Sequence, residues 1–258
     1  EEKVESIALT TYLHGLALLD RDGRVLQNVM THLDTRASAH QRIVEEFGGE
    51  LYRSTGCPPI FVYPLAKLLW LKDRGLLSKA GRVSFVKDYI IYKLSGYWAL
   101  DYGVAPGTGL FDVVNLRWSS KALEVAGVDE SLLPELVEGA RVLDYIDLAR
   151  LGLRSARVAL VPGTFDGGAQ NLGLSVYESH AALNLGSTAV VRLLTKRVVL
   201  DRDERMRFFA YYTADGYRAI GGASNNGMTS LEWIREQLVR SDWEAIVKSL
   251  EGLETTTL

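Results

Sequence analysis

The chain has 258 residues, 47% hydrophobic and 24% charged, with a net charge of −3 and a predicted isoelectric point near 5.9. Such a balance suits a globular protein with a large core in one or two domains, and it carries no basic stripe of the kind that binds nucleic acid. The single cysteine, Cys57, excludes an internal disulfide, and the four scattered histidines offer no metal-ligand cluster, which fits a reducing cytoplasm.

Residues 7–9 and 16–19 are short apolar strand candidates. The second runs into the turn Asp20-Arg21-Asp22-Gly23, and 25–30 would be a third strand, so the opening predicts an antiparallel meander. Residues 37–47 read as a helix with Ile43, Val44 and Phe47 on one face, stopped by Gly48-Gly49. Pro64 opens a strong helix, since proline is pre-organised for a first turn. Further helices are predicted at 87–94, ended by Ser95-Gly96, and at 119–125 and 130–137, with Gly127 between them. Residues 158–161 form an apolar strand leading into Pro162-Gly163-Thr164-Phe165-Asp166-Gly167-Gly168. Strands at 181–185 and 189–194 follow; these are the longest apolar runs, far below the roughly 20 residues of a membrane span. No signal peptide is visible, because Glu1 to Glu5 is acidic rather than basic. Segments 208–213 and 217–220 flank the hairpin signal Ala214-Asp215-Gly216, and helices at 229–239 and 243–250 close the chain. The mixture predicts an α/β or α+β chain with a boundary near 174–179.

Three segments carry residue types suited to chemistry. Asp166 sits between a strand and a short helix of small residues, where the helix dipole favours its ionised form. A carboxylate so placed suits a general base for a hydroxyl nucleophile; the alternative is a helix cap with glycines for turn geometry. In Gly186-Ser187-Thr188, small hydroxyl residues after a strand present N–H and O–H donors to phosphate oxygens, or form a simple turn. In Thr31-His32-Leu33-Asp34-Thr35-Arg36, Asp34 accepts from and Arg36 donates to the hydroxyls or carboxylate of a polar substrate, or the two form a loop ion pair. His14 lies in a loop between the first strands, and Asn225-Asn226-Gly227 reads as a helix cap. Neither a Walker loop nor a Gly-x-Gly-x-x-Gly turn is present.

Order and spacing join these segments. Leu13-His14-Gly15, Leu18-Leu19-Asp20 with Gly23, and Asp34-Thr35-Arg36 resemble the early part of FGGY carbohydrate kinases. So do Tyr52-Arg53-Ser54-Thr55-Gly56-Cys57-Pro58, the Pro64–Trp70 run, Lys87-Asp88-Tyr89 with Tyr92-Lys93-Leu94-Ser95-Gly96, and the Asp166 and Gly186 segments. The resemblance extends from about Ile7 to Leu238. Within the family, gluconate kinases are the most similar, through Asn171-Leu172-Gly173, Phe209-Ala210-Tyr211 and Ile220-Gly221-Gly222 with Asn225-Asn226-Gly227.

The resemblance implies an α/β, actin-like and ribonuclease-H-like two-domain ATPase fold. Residues 1–175 would be a nearly complete sugar-binding N-terminal domain, and 176–258 the start of a nucleotide-binding C-terminal domain. It implies ATP and Mg²⁺ as cofactors, Asp166 as catalytic base, and Gly186, Ser187 and Thr188 at the ATP phosphates. His14 and Asp34 would line the sugar site, with Arg36 helping to hold the polyol. The substrate partner is a small sugar, gluconate first, with xylulose or another ketose or polyol as the alternative; no membrane or nucleic-acid partner is expected. His32 stands where the family usually has Trp, and Tyr12-Leu13 where it often has Gln-Met or Ala-Met, and both changes touch the sugar pocket. The family's opening phosphate loop and its glycine-rich adenine region are not in this sequence. The expectation is therefore a fragment without kinase activity of its own, or a non-catalytic chain of the same fold that binds sugar or a protein. Open sheet edges would favour self-association, with a homodimer left open.

Overall fold

In the computed structural model, which describes residues 4–251, strand β1 (Ser6–Thr11) is followed past a loop by the short buried strand β2 (Ala17–Leu19). The predicted meander does not form. Residues 25–30 contribute only the isolated antiparallel bridges Leu16–Met30 and Leu19–Val25. His14, at a φ of 71°, turns the chain between β1 and β2 and sends β1 elsewhere.

The helix predicted at 37–47 is split into a 3-10 turn over Arg36–His40 and α1 (Gln41–Glu46). The two glycines expected to stop it instead begin α2 (Gly48–Thr55). Gly48 is there for close approach, since a Cβ would lie 2.9 Å from the Pro59 ring. Helix α3 (Pro64–Asp73) starts on its proline as expected and is covered on nearly every side, Lys67 included. Strand β3 (Arg82–Ser84) pairs antiparallel with β2. Helix α4 (Lys87–Ser95) ends at the left-handed Gly96, and β4 (Ala99–Asp101) follows. The hairpin β5 (Phe111–Asp112) and β6 (Arg117–Trp118) leads to α5 (Ser120–Ala126), which Ser119 caps and the left-handed Gly127 terminates.

The helix predicted at 130–137 is absent. A 3-10 turn over Glu130–Leu132 gives way to β7 (Glu135–Val137), parallel to β4. Pro134 is the reason. It has no N–H to donate and biases Leu133 to the extended conformation seen there, φ −95° and ψ 155°.

Strand β8 (Asp144–Asp147) is followed by β9 (Arg157–Phe165), which outruns the predicted apolar stretch and delivers the chain directly into α6 (Asp166–Gly173). Next come β10 (Ala181–Leu185), β11 (Ala189–Thr195), β12 (Phe209–Tyr212) and β13 (Arg218–Ser224). The last described elements are α7 (Met228–Ile234), a π-helical turn over Arg235–Val239 and α8 (Trp243–Leu250).

Two sheets organise the molecule, and its class is α/β. In the first, ordered β1-β9-β8, β1 runs parallel to β9 from Ser6 opposite Ala159 to Thr11 opposite Phe165. The register shifts between Ala8 and Thr10, where Gly163 at a φ of 72° brings its Cα against the Leu9 carbonyl. The second sheet, ordered β10-β11-β13-β12, is antiparallel throughout. Strand β12 is buried along its whole length and seals this sheet onto the helical half. There the Ala210 N–H donates to the Gly56 carbonyl (2.9 Å), and the Thr164 hydroxyl donates to the Thr213 carbonyl (3.1 Å).

The main core gathers Leu65, Leu68 and Leu71 of α3 with Leu18, Val83, Phe111 and Trp118. A smaller core fills the space between Ile91 of α4 and Ile146, Val158 and Leu160 of the first sheet. Among the described residues, no helix is long and apolar enough to cross a membrane.

Candidate functional site

The parallel pairing of β1 with β9 places two loops side by side. Thr11 stands opposite Phe165, so the loop carrying His14 and the start of α6 leave the same edge of the sheet. Loops beyond the C-terminal ends of parallel strands are where α/β folds gather ligands. Asp166 is the first residue of α6, and Phe165 rather than Asp166 takes the cap position. The carboxylate accepts the Gly167 N–H at 2.7 Å and is otherwise exposed to solvent. A strand held on both sides thus presents an acceptor at the first turn of a helix, where a negative charge is stabilised.

His14 lies in the adjoining loop. Its Nδ1–H donates to the Gly107 carbonyl at 2.8 Å, because a carbonyl can only accept, and Nε2 is left as an acceptor. Burial holds the imidazole pKa down to about 4, and the Lys67 and His32 charges push the same way. At neutral pH it is an uncharged hydrogen-bonding group. The unfolded chain binds a proton here below about 6.5 and the folded one only below about 4, so this group's contribution to stability is lost as pH falls across that window. We expect the loss to amount to about 2–3 kcal/mol. Unfolding free energies measured between pH 4 and 7 should fall less steeply for His14→Gln, and identical slopes would refute the assignment.

Lys67 ties the site together. Its Nζ donates to the His14 carbonyl at 2.6 Å and to the Thr31 carbonyl at 2.8 Å, drawing the His14 loop and the 31–36 loop onto α3. Burial lowers its pKa to about 8, against the raising influence of Asp34. Asp34 and Arg36 pair with each other. The Arg36 Nη2 donates to an Asp34 oxygen at 2.5 Å, its Nε donates at 3.0 Å, and the guanidinium lies 4.9 Å over Trp70. This bond with Arg36 holds the Asp34 carboxyl below the usual range. The loop ion pair that the sequence left open beside a substrate role is therefore formed.

Two tyrosines link this cluster to the second sheet. The Tyr63 ring stands edge-on to His14 at 4.9 Å, and its hydroxyl meets that of Tyr211 at 2.5 Å. Tyr211 in turn packs edge-on to Phe165, the residue before Asp166.

Gly186, Ser187 and Thr188 form the tip of the β10–β11 hairpin, the first two exposed and Thr188 half-buried. The turn is closed by the Gly186 N–H donating to Thr188 O (3.2 Å), and it is braced by the Met228 N–H donating to Gly186 O (2.9 Å). Asn225-Asn226-Gly227 turns out to be its buttress, since a Cβ at Gly227 would lie 2.6 Å from the Gly186 and Ser187 oxygens. Ser187, Met228, Thr229, Glu232, Trp233 and Glu236 line an open cleft beside the turn. Helix α6 connects this hairpin to the acid. Gln170, one turn after Asp166 on the same face, accepts from Asn184 Nδ2 at 3.1 Å.

Tyr63 and Arg192 of β11 were not singled out from sequence, and Lys67 and Tyr211 entered only within segments carrying the resemblance, with no role assigned. Lys67 had a further readable signal, a lone charge inside the apolar run 65–71. Cys57 is buried, its Sγ–H donating to Pro106 O at 3.1 Å, and burial pushes its pKa up to about 12, so it is inert at neutral pH. The assembled parts are an exposed carboxylate, a neutral imidazole with a free acceptor, and an exposed turn of small hydroxyl residues. Together they can accept a proton, hold hydroxyl groups and cradle an anion.

Residues 1–173 match the family described as "FGGY family of carbohydrate kinases, N-terminal domain". The chain is 28% identical over 257 residues to a gluconokinase of Bacillus subtilis, covering 96% of this chain and 49% of that protein. It is 33% identical over 274 residues to a glycerol kinase of Thermococcus gammatolerans, covering 98% and 53%. It superposes on a ligand-bound xylulose kinase from Lactobacillus acidophilus with a TM-score of 0.90 at 26% identity, covering 98% of this chain and 53% of that one. The chain thus spans about half the length of the curated relatives it matches.

Proposed function

Because the chain belongs to the FGGY family of carbohydrate kinases, we propose that the protein transfers the γ-phosphoryl group of ATP to a hydroxyl of a sugar acid or polyol, gluconate first. One observation carries this reading. Asp166 offers an exposed carboxylate at the start of α6, on the same sheet edge as the loop that holds His14. Asp166 takes the proton from the attacking hydroxyl. His14 accepts a hydrogen bond from another hydroxyl through Nε2, and Asp34 and Arg36 help to hold the same molecule. Gly186, Ser187 and Thr188 lie against the phosphates with their small side chains and backbone. Phosphoryl transfer depends mainly on positioning and charge neutralisation, so Asp166 needs correct geometry more than a displaced pKa.

ATP supplies the phosphoryl group when bound. Among the described residues, no three His, Cys, Asp or Glu side chains converge to hold a metal ion, so the chain offers Mg²⁺ no cage of its own. That suits an ion which keeps its waters and binds chiefly through substrate phosphates. The reading carries with it an actin-like, ribonuclease-H-like arrangement, with residues 1–175 as the sugar-binding domain and 176–258 as the start of the nucleotide-binding one.

A ketose or polyol is the second reading, favoured by the overlap with a xylulose kinase and the identity to a glycerol kinase. The test is ADP release by the full protein with gluconate, xylulose and glycerol. The highest kcat/KM is expected on gluconate. Equal or better turnover of xylulose would move the substrate to the second reading, and no release with any of the three would end the kinase reading.

A further inference from the structure

Arg192 is a cation beside Asp166 with no anion of its own. It stands on β11, and two glycines make room for it. A Cβ at Gly221 would lie 3.2 Å from its Cγ, and one at Gly167 would lie 2.6 Å from its Cζ. The stem therefore lies over one glycine and the guanidinium over the other, the residue next to Asp166. Among the described residues the head forms no ion pair. Its side-chain partner is the Gln170 Oε1, at a long 3.4 Å from Nη1, and its Nε is buried with no partner. Burial lowers its pKa, while the nearby Asp166 and Tyr211 act in the opposite direction. Holding even part of a guanidinium out of water without a carboxylate is costly, so a site that maintains one beside an acid is prepared for a negatively charged ligand.

The surroundings identify which ligand. Over Gly221 the Arg192 stem lies beside the Phe209 ring, which stacks on Tyr211 at 4.4 Å, and Tyr211 shares a hydroxyl contact with Tyr63, which stands against His14. Arg192 therefore faces the loops assigned to the sugar. The Gln170 oxygen that the guanidinium meets also accepts from Asn184, two residues before the turn assigned to the ATP phosphates, so the head lies between that turn and the sugar loops. Among the described residues no ion pair joins Arg192 to Asp166, so each is free to meet a different group of one bound molecule.

We propose that Arg192 is a specificity residue that receives the carboxylate of a sugar-acid substrate while the far hydroxyl of the same molecule meets Asp166. This rests on the kinase reading above and narrows its substrate to an acid. A planar fork of N–H donors matches a carboxylate in a way that a neutral sugar cannot reproduce.

The test compares kcat/KM for gluconate and for xylulose in the full protein, its Arg192→Gln variant and its Arg192→Lys variant. Taking the ratio within one variant controls for folding, since partial unfolding lowers both values alike. In Arg192→Gln the gluconate-over-xylulose ratio is expected to fall about 10- to 100-fold, through a higher gluconate KM. Arg192→Lys, which keeps the charge without the fork, should recover part of the loss. A ratio within about threefold of wild type, or a loss carried by the KM for ATP, would overturn the assignment and leave the kinase reading standing. A wild-type protein that phosphorylates neither sugar would end both.

Discussion

Asp166→Asn is expected to lower kcat of the full protein by about 10²- to 10⁴-fold, the usual contribution of a positioned general base, with sugar affinity within about threefold of wild type. Asparagine keeps the size of the side chain, and its Oδ1 can still accept the Gly167 N–H that the carboxylate accepts at 2.7 Å. What it loses is the ability to take a proton from the attacking hydroxyl. Because the side chain is exposed, stability should change by no more than about 0.5 kcal/mol. A coupled assay gives kcat, and titration calorimetry with gluconate in the absence of ATP gives the affinity. Turnover within tenfold of wild type would mean that another group is the base. Loss of sugar binding together with turnover would make Asp166 a binding residue instead.

Lys87→Met is expected to destabilise the protein by about 3–5 kcal/mol, the range for removing one partner of a buried ion pair. Lys87 and Asp101 are both inaccessible to solvent, and the Nζ donates to Asp101 Oδ2 at 2.8 Å. The same ammonium donates to the Pro162 carbonyl at 2.8 Å and the Thr164 carbonyl at 2.9 Å. Methionine would leave the buried Asp101 carboxylate without its counter-ion, with only the Val104 N–H still donating to it, and would take the ammonium donor from two carbonyls. Both carbonyls belong to the last residues of β9 before Asp166, so a loss of kcat should accompany the loss of stability. Urea unfolding reads the first effect. The double variant Lys87→Met with Asp101→Leu should regain part of the stability, since removing both charges avoids the unpaired carboxylate. A single variant within about 1 kcal/mol of wild type would show that water reaches Asp101 and that the pair is not sealed.

The elements readable from sequence were those whose signals are local. Pro64 starts α3, and Gly96 and Gly127 end α4 and α5 in left-handed conformations. The hairpin around Ala214-Asp215-Gly216 joins β12 to β13. Asp166 stood out for the same reason, because a strand, a glycine-flanked acid and a helix are neighbours in the chain. The misreadings have physical causes as well. Gly48 and Gly49 looked like a stop because glycine is a poor helix former, yet Gly48 allows α2 to pack against Pro59. Pro134 broke a predicted helix by a rule already legible in the sequence.

The sequence by itself determined where the chain turns, which segments are apolar, and that an acid stands at a strand-to-helix junction. Those depend on the φ preferences of glycine and proline and on periodicity over a few residues. Only the tertiary structure decided that β1 pairs with β9, some 150 residues away, and so brought the His14 loop beside Asp166. It alone placed Lys67 under two loops, joined Tyr63 to Tyr211, and laid Arg192 over Gly167 and Gly221. Each of these contacts joins residues distant in sequence, and packing and hydrogen-bond satisfaction across the whole core select them, which no window of neighbouring residues encodes.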